Sequence, residues 1–134
     1  MWFSPDVLPL WTDCIEPAIT KAGYDAKRID RVEHNNRIDE EILAWIRRSR
    51  FVVSDLTGHR AGVYFEAGFA MGLGLPVVWM VRGNDADDTH FDNRQYNRIE
   101  WTADELATAE KRLFDRIVAT IGPGPSFEAN KALD

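Results

Sequence analysis

Apolar and polar positions change their spacing several times along the chain, and each change marks an element. From Val7, the residues Leu8, Trp11, Ile15, Ala18, Ile19 and Ala22 keep a helical stripe that Gly23 closes, with Pro17 expected to kink or restart the helix. Tyr24–Ile29 alternates weakly and predicts a short, partly exposed strand. A second helix follows the polar loop at His34-Asn35-Asn36. Its first turn carries Asp39, Glu40 and Glu41, its last Arg47, Arg48 and Arg50, the order the helix dipole favours, and Ile38, Ile42, Trp45 and Ile46 are its expected buried face.

The middle of the chain is the densest in signals. Phe51-Val52-Val53-Ser54-Asp55-Leu56 reads as a strand buried on both faces. Thr57-Gly58-His59-Arg60-Ala61-Gly62 then breaks it into a turn where backbone can approach a ligand closely. A helix is predicted from Val63, with Val63, Glu66, Ala70 and Leu73 on one face, and Gly74 and Pro76 stop it. Pro76–Val81 is the next buried strand. After a polar loop over Arg82–Asp92, Ile99 and Trp101 make a brief further strand. Thr102-Ala103-Asp104-Glu105 matches a capping box for a last helix lined by Leu106, Leu113, Phe114, Ile117 and Ile121 and ended by Gly122-Pro123.

Helix and strand alternate without hairpin signals, so the expected fold is α/β: a doubly wound, mainly parallel sheet of four to five strands, flavodoxin- or Rossmann-like. Met1-Trp2-Phe3 leaves room only for a truncated or minimal first strand. Residues 1–122 are read as one domain and residues 123–134, beginning in Gly- and Pro-rich sequence, as a tail. The crevice at the strand ends should collect Met1–Phe3, His34–Asn36, Asp55–Gly62, Glu66 and Arg82–Asn97.

Composition narrows the function. The 134 residues carry a net charge of −6, which disfavours a nucleic acid polymer or a membrane surface as partner. With 45% apolar and 28% charged residues the chain is an ordinary globular one. No apolar run approaches the length of a membrane span, no secretory leader is evident, and a lone Cys14 suits a reducing compartment, so a cytoplasmic location is expected. Cys14, His34, His59 and His90 lack metal-ligand spacing, and the glycines match neither a dinucleotide nor a P-loop fingerprint; no metal or cofactor is expected.

Glu66 is the anomaly. It shares its helical face with apolar and small residues, and a carboxylate there is costly to bury unless a dipole or hydrogen bonds offset the cost. A position in the helix's first turn, facing the crevice, would supply both. Gly58, Gly62, Ala67, Gly68, Ala70 and Gly72 suggest a slim helix lying close on the sheet. The alternative is a solvated Glu66, or one paired with Arg60.

Three runs carry a resemblance: Ser54-Asp55-Leu56-Thr57-Gly58, then Gly62-Val63-Tyr64-Phe65-Glu66-Ala67-Gly68-Phe69-Ala70, then Gly72-Leu73-Gly74-Leu75-Pro76-Val77-Val78. Together they resemble the core of the nucleoside 2-deoxyribosyltransferase family and its nucleotide N-glycosidase relatives, although the outline also recurs in TIR-like domains. The resemblance implies that Glu66 attacks the anomeric carbon of a deoxyribosyl group, with Asp55, or failing it Asp39, protonating the leaving base. Substrate contacts are then expected from Trp2, Phe3, His34, Asn36, Gly58, Arg60, Gly62, Asp92, Arg94 and Asn97. Arg60 stands where that family carries an acid, six residues before the nucleophile, and suits a 5′-phosphate. The implied partner is a small nucleoside or nucleotide, and the implied assembly a homodimer or higher homo-oligomer. A TIR-like NAD glycohydrolase and a non-catalytic nucleotide-binding module are the other two readings.

Overall fold

The computed structural model describes residues 8–28, 40–58, 61–83 and 98–127. The chain divides into two compact units, residues 1–4 with 28–100 and residues 5–27 with 101–134.

A three-stranded sheet in the order β1-β2-β3 is made of β1 (Val52–Asp55), β2 (Val77–Arg82) and β3 (Ile99–Trp101), all of it in the first unit except Trp101. β1 and β2 pair in parallel, Val52 opposite Val77 through Asp55 opposite Met80. Central β2 buries Val78, Trp79, Met80 and Val81, as its continuous apolar run predicts. Between β1 and β2 runs a helix over Ala61–Gly72, preceded in the chain by another over Glu40–Arg48; these are α4 and α3, the helices of residues 8–21 taking the lower numbers. The architecture is therefore mixed α/β, and three strands stand among the described residues where four or five are expected.

Strand alternation decides which side chains meet α4. Leu56 of the β1 end and Trp79 and Val81 of β2 form one cluster with Val63, Tyr64 and Ala67 of α4, Val77 packing against it. Ile42 and Ile46 of α3 join Ala70 in a second cluster, flanked by Val52, Phe69, Leu75 and Val77. The stop of α4 follows the sequence signal: the Gly74 amide donates to Met71 O at 3.0 Å and the Leu75 amide to Ala70 O at 3.0 Å.

In the second unit the chain is helical from Leu8 to Lys21, in three pieces: α1 (Leu8–Leu10), a π-helical turn (Trp11–Ile15) and α2 (Glu16–Lys21). Pro17 accounts for the change of winding. Lacking an N–H and crowding the turn before it, it favours a widened turn, and the Glu16 amide accordingly donates to Trp11 O. The wider turn displaces the buried stripe, so that Leu10, Cys14, Ile15, Ala18, Ile19 and Ala22 are buried while Leu8, counted into the stripe by simple periodicity, is exposed.

Helix α5 (Leu106–Thr120) turns Ala109, Leu113 and Ile117 inward, and Lys21 pairs with Glu110. Its start differs from the sequence expectation. The N-cap is Glu105, with no side-chain cap, because Thr102 instead accepts the Glu105 amide on its carbonyl at 3.1 Å and closes a separate turn.

Tyr24–Arg28 forms no strand. Tyr24 is held by its amide on Ile19 O at 3.1 Å and its hydroxyl on Gly122 O at 2.6 Å, and the Gly124 amide donates to Ala22 O at 2.7 Å. Local helix-end bonds thus outcompete the weak alternation of that segment. Residues 123–127 of the expected tail are tied to this unit, the Phe127 ring lying 6.5 Å from that of Phe114. Trp2 and Phe3, with the expected first strand, lie outside the described residues. No helix among the described residues is long and apolar enough to cross a membrane.

Gly23 fixes the close approach of these two segments. Its φ is +98°, and a Cβ there would sit 2.5 Å from Phe127 N and 2.8 Å from Gly124 O, all backbone contacts that cannot yield cheaply. Gly23→Ala should destabilise the protein by about 1–3 kcal/mol in urea titration, through strained φ and displaced backbone together. An unchanged midpoint would contradict the packing described.

Candidate functional site

The β1-α4-β2 unit places two carboxylates at the centre of the first unit. Helix α4 begins at Ala61, so Glu66 is its sixth residue and lies in the second turn, not the first as the sequence suggested. At about 1.5 Å of rise per residue it stands some 7–8 Å inside the helix start, where the dipole's influence has largely decayed. It is nonetheless buried, only 4% exposed, on the face that carries Val63, Ala67 and Ala70. Of the residues from Ala61 to Leu75 it alone carries a charge, and that charge is turned inward.

Helix α4 is slim over part of this face. Ala67 and Ala70 are fully buried and bring α4 close to its neighbours. Gly68 and Gly72 point the other way, with no atom within 4 Å of a Cβ built on either. Leu73 is exposed too, so the inward face ends at Ala70.

Asp55 closes β1, 1% exposed, its Oδ2 fully buried. Its Oδ1 accepts a 2.9 Å hydrogen bond from the Thr57 hydroxyl. The same hydroxyl oxygen accepts the Arg82 amide at 2.9 Å. Just before it, the Leu56 amide donates to Met80 O at 2.8 Å in the regular parallel pattern. One rung later Thr57 Oγ1 is an acceptor at the place where β1 peels away. A fully buried Thr57 therefore joins the carboxyl ends of β1 and β2 and orients Asp55 in one gesture.

Alternation along β1 also sets where Asp55 can reach. Val52 and Leu56 side with α4, whereas Asp55 shares the opposite face with its register partner Met80. Asp55 and Glu66 thus leave from different faces of the sheet and can converge only beyond the end of β1. Gly58 begins the route around that end with φ +83°, a conformation that favours glycine. Gly62 is in the first turn of α4. Arg60, Asp39, His34, Asn36, Asp92, Arg94 and Asn97 lie outside the described residues, as do Trp2 and Phe3.

Thr57 is the site residue that sequence reasoning did not single out. The available signal was the Asp-Leu-Thr spacing at a strand end, a short range over which a hydroxyl can bond a preceding carboxylate. Among the described residues no cluster of His, Cys, Asp and Glu has the makings of a metal centre. No protein-family model matches the chain, and neither a curated protein nor a solved structure was found to match it.

Replacing Thr57 tests the strand-end junction. Thr57→Val keeps the volume and removes both bonds, leaving a half-buried amide and a buried carboxylate oxygen to be satisfied otherwise, so a loss of about 1–3 kcal/mol is expected in urea unfolding. Thr57→Ser keeps the hydroxyl and should lose less than about 1.5 kcal/mol. A loss in Thr57→Val no larger than that in Thr57→Ser would contradict the junction, because the hydroxyl would then contribute no more than the methyl group.

Proposed function

We propose that the protein cleaves or transfers the N-glycosidic bond of a nucleoside or nucleotide, with Glu66 as nucleophile. The observation that carries this reading is the inward-turned carboxylate of Glu66 on a helix otherwise free of charge. Burying it is costly, and packing alone would be served by any small apolar residue. Its position after the carboxyl end of β1 adds support, because ligands of open α/β sheets bind beyond those ends. The resemblance in the Ser54–Gly58, Gly62–Ala70 and Gly72–Val78 runs supplies the chemistry, and the doubly wound sheet of four or five strands belongs to the same reading.

In the proposed reaction a Glu66 carboxylate oxygen bonds to C1′ of the sugar as the bond from C1′ to the base nitrogen breaks. The bonding pair leaves with the base, which takes up a proton from an acid. Water, or a second base, then attacks C1′, breaks the ester and regenerates the carboxylate. Asp55 is the first candidate for the acid and Asp39 the second. The Thr57 bond holds Asp55 in a fixed orientation, which suits proton delivery around the end of β1 and suits equally a purely structural role for this residue. A 5′-phosphate is proposed to meet Arg60, and the small-molecule partner is therefore a nucleoside 5′-monophosphate or its parent nucleoside.

Incubating the protein with 2′-deoxynucleosides, their 5′-monophosphates, ribonucleotides and NAD, and separating released base by chromatography, tests the proposal. Release from a deoxynucleoside or its monophosphate should fall by about 10³-fold or more in Glu66→Gln, as expected for loss of a nucleophile. Release from NAD alone would replace the proposal by a TIR-like glycohydrolase, and no release from any substrate would leave a binding module.

A further inference from the structure

The outward face of α4 is as unusual as its inward one. Phe65, Gly68 and Gly72 follow one another at helical spacing, with Met71 beside them and Leu73 just past the helix end. Phe65, Met71 and Leu73 are each at least 40% exposed, and the two glycines leave the helix backbone open, with nothing within 4 Å of a Cβ at either. A solvent-facing helix normally puts its charges outward; α4 puts none there.

Helix α3 continues this surface. Its Ile42 and Ile46 share a cluster with Ala70 of α4, its Trp45 is 40% exposed, and the Arg47 guanidinium lies 5.9 Å from the centroid of the Phe69 ring. Along the outer side of α3, Glu41, Trp45 and Arg48 occupy one stripe, and Glu40, Ala44 and Arg47 the next. Each stripe is acidic at one end and basic at the other, and the four charges of the two stripes together sum to zero on a chain whose net charge is −6.

We propose that this α3–α4 face is the interface between two copies of the chain related by a two-fold axis. The charges along α3 are self-complementary under such an axis. A two-fold axis passing beside Ala44 and Trp45 runs the two α3 helices antiparallel and places Glu41 opposite the partner's Arg48, and the reverse, so both ends are matched by the same operation. An acidic or a basic foreign surface would match one end and oppose the other. The locally neutral patch also lets two chains of like net charge meet, the uncharged faces of α4 become buried alongside, and the open glycine backbone permits close approach. The proposal is independent of the reading of Glu66, because none of these residues belongs to the inward face of α4.

Sedimentation equilibrium over a range of concentrations tests it with the full chain. The wild type should be a dimer. E41R and R48E each place like charges across the axis twice and should weaken the dimer by about tenfold or more, whereas an equimolar mixture of the two should restore association as a mixed dimer, since every pair is then opposite in sign. G68E, at an open helical position, should keep the fold by circular dichroism and sediment as a monomer. A monomeric wild type at every concentration, single reversals that dimerise like the wild type, or a mixture that fails to recover association would each overturn the proposal. Because E41R and R48E change exposed positions, they decide the matter even if G68E does not fold.

Discussion

The burial of one carboxylate constrains the packing of the first unit. Helix α4 must lie close enough to its neighbours for Ala67 and Ala70 to be fully covered, and in doing so it carries Glu66 into the interior with them. A charged group removed from water needs polar company, and Glu66 stands too far along the helix for the first-turn dipole to serve. Every other position from Ala61 to Leu75 is uncharged. The proposed role of Glu66 rests on this burial, on a face otherwise made of small and apolar residues.

The surroundings of Glu66 divide the work between packing and positioning. The Leu56, Trp79 and Val81 cluster seats the first turns of α4, and Ala70 joins its last turn to α3 through Ile42 and Ile46. At the strand ends the Thr57 hydroxyl holds Asp55 while accepting the Arg82 amide, so the point where β1 leaves the sheet is pinned by side chain rather than by ladder alone. Asp55 faces away from α4 along the strand, on the side of its register partner Met80. The two carboxylates therefore stand on different faces of the sheet, in different surroundings.

Much of the fold was legible in the sequence because short-range signals agreed with long-range packing. The apolar runs of β1 and β2, the stop at Gly74 and the short β3 were all readable for that reason. Errors arose where a local rule met a stronger competitor. Periodicity put Trp45 and Leu8 in the core, but both are exposed, Trp45 on the outer side of α3 and Leu8 ahead of the widened turn that Pro17 favours. Thr102 to Glu105 had the letters of a capping box, yet a backbone turn used the same residues first. Tyr24–Arg28 alternated like a strand, and its bonds went to Ile19 and Gly122 instead. For the site, the inward direction of Glu66 could be read from helical spacing, whereas its depth could not, because a shift of two residues in the helix start moves it from the first turn to the second. Thr57 escaped notice because its role depends on Arg82, which is 25 residues away in sequence and adjacent only once the strands pair.

If Glu66 is buried in order to bond to C1′, the bond can be trapped. A 2′-fluoro-2′-deoxynucleoside has an electron-withdrawing substituent next to C1′, which destabilises oxocarbenium character and slows loss of the sugar from a carboxylate once the base has left. Intact-protein mass spectrometry followed by peptide mapping should find one glycosyl unit added per chain, on the peptide that contains Glu66 and on that residue. Base release without an adduct at Glu66, or an adduct on a different carboxylate, would contradict the account.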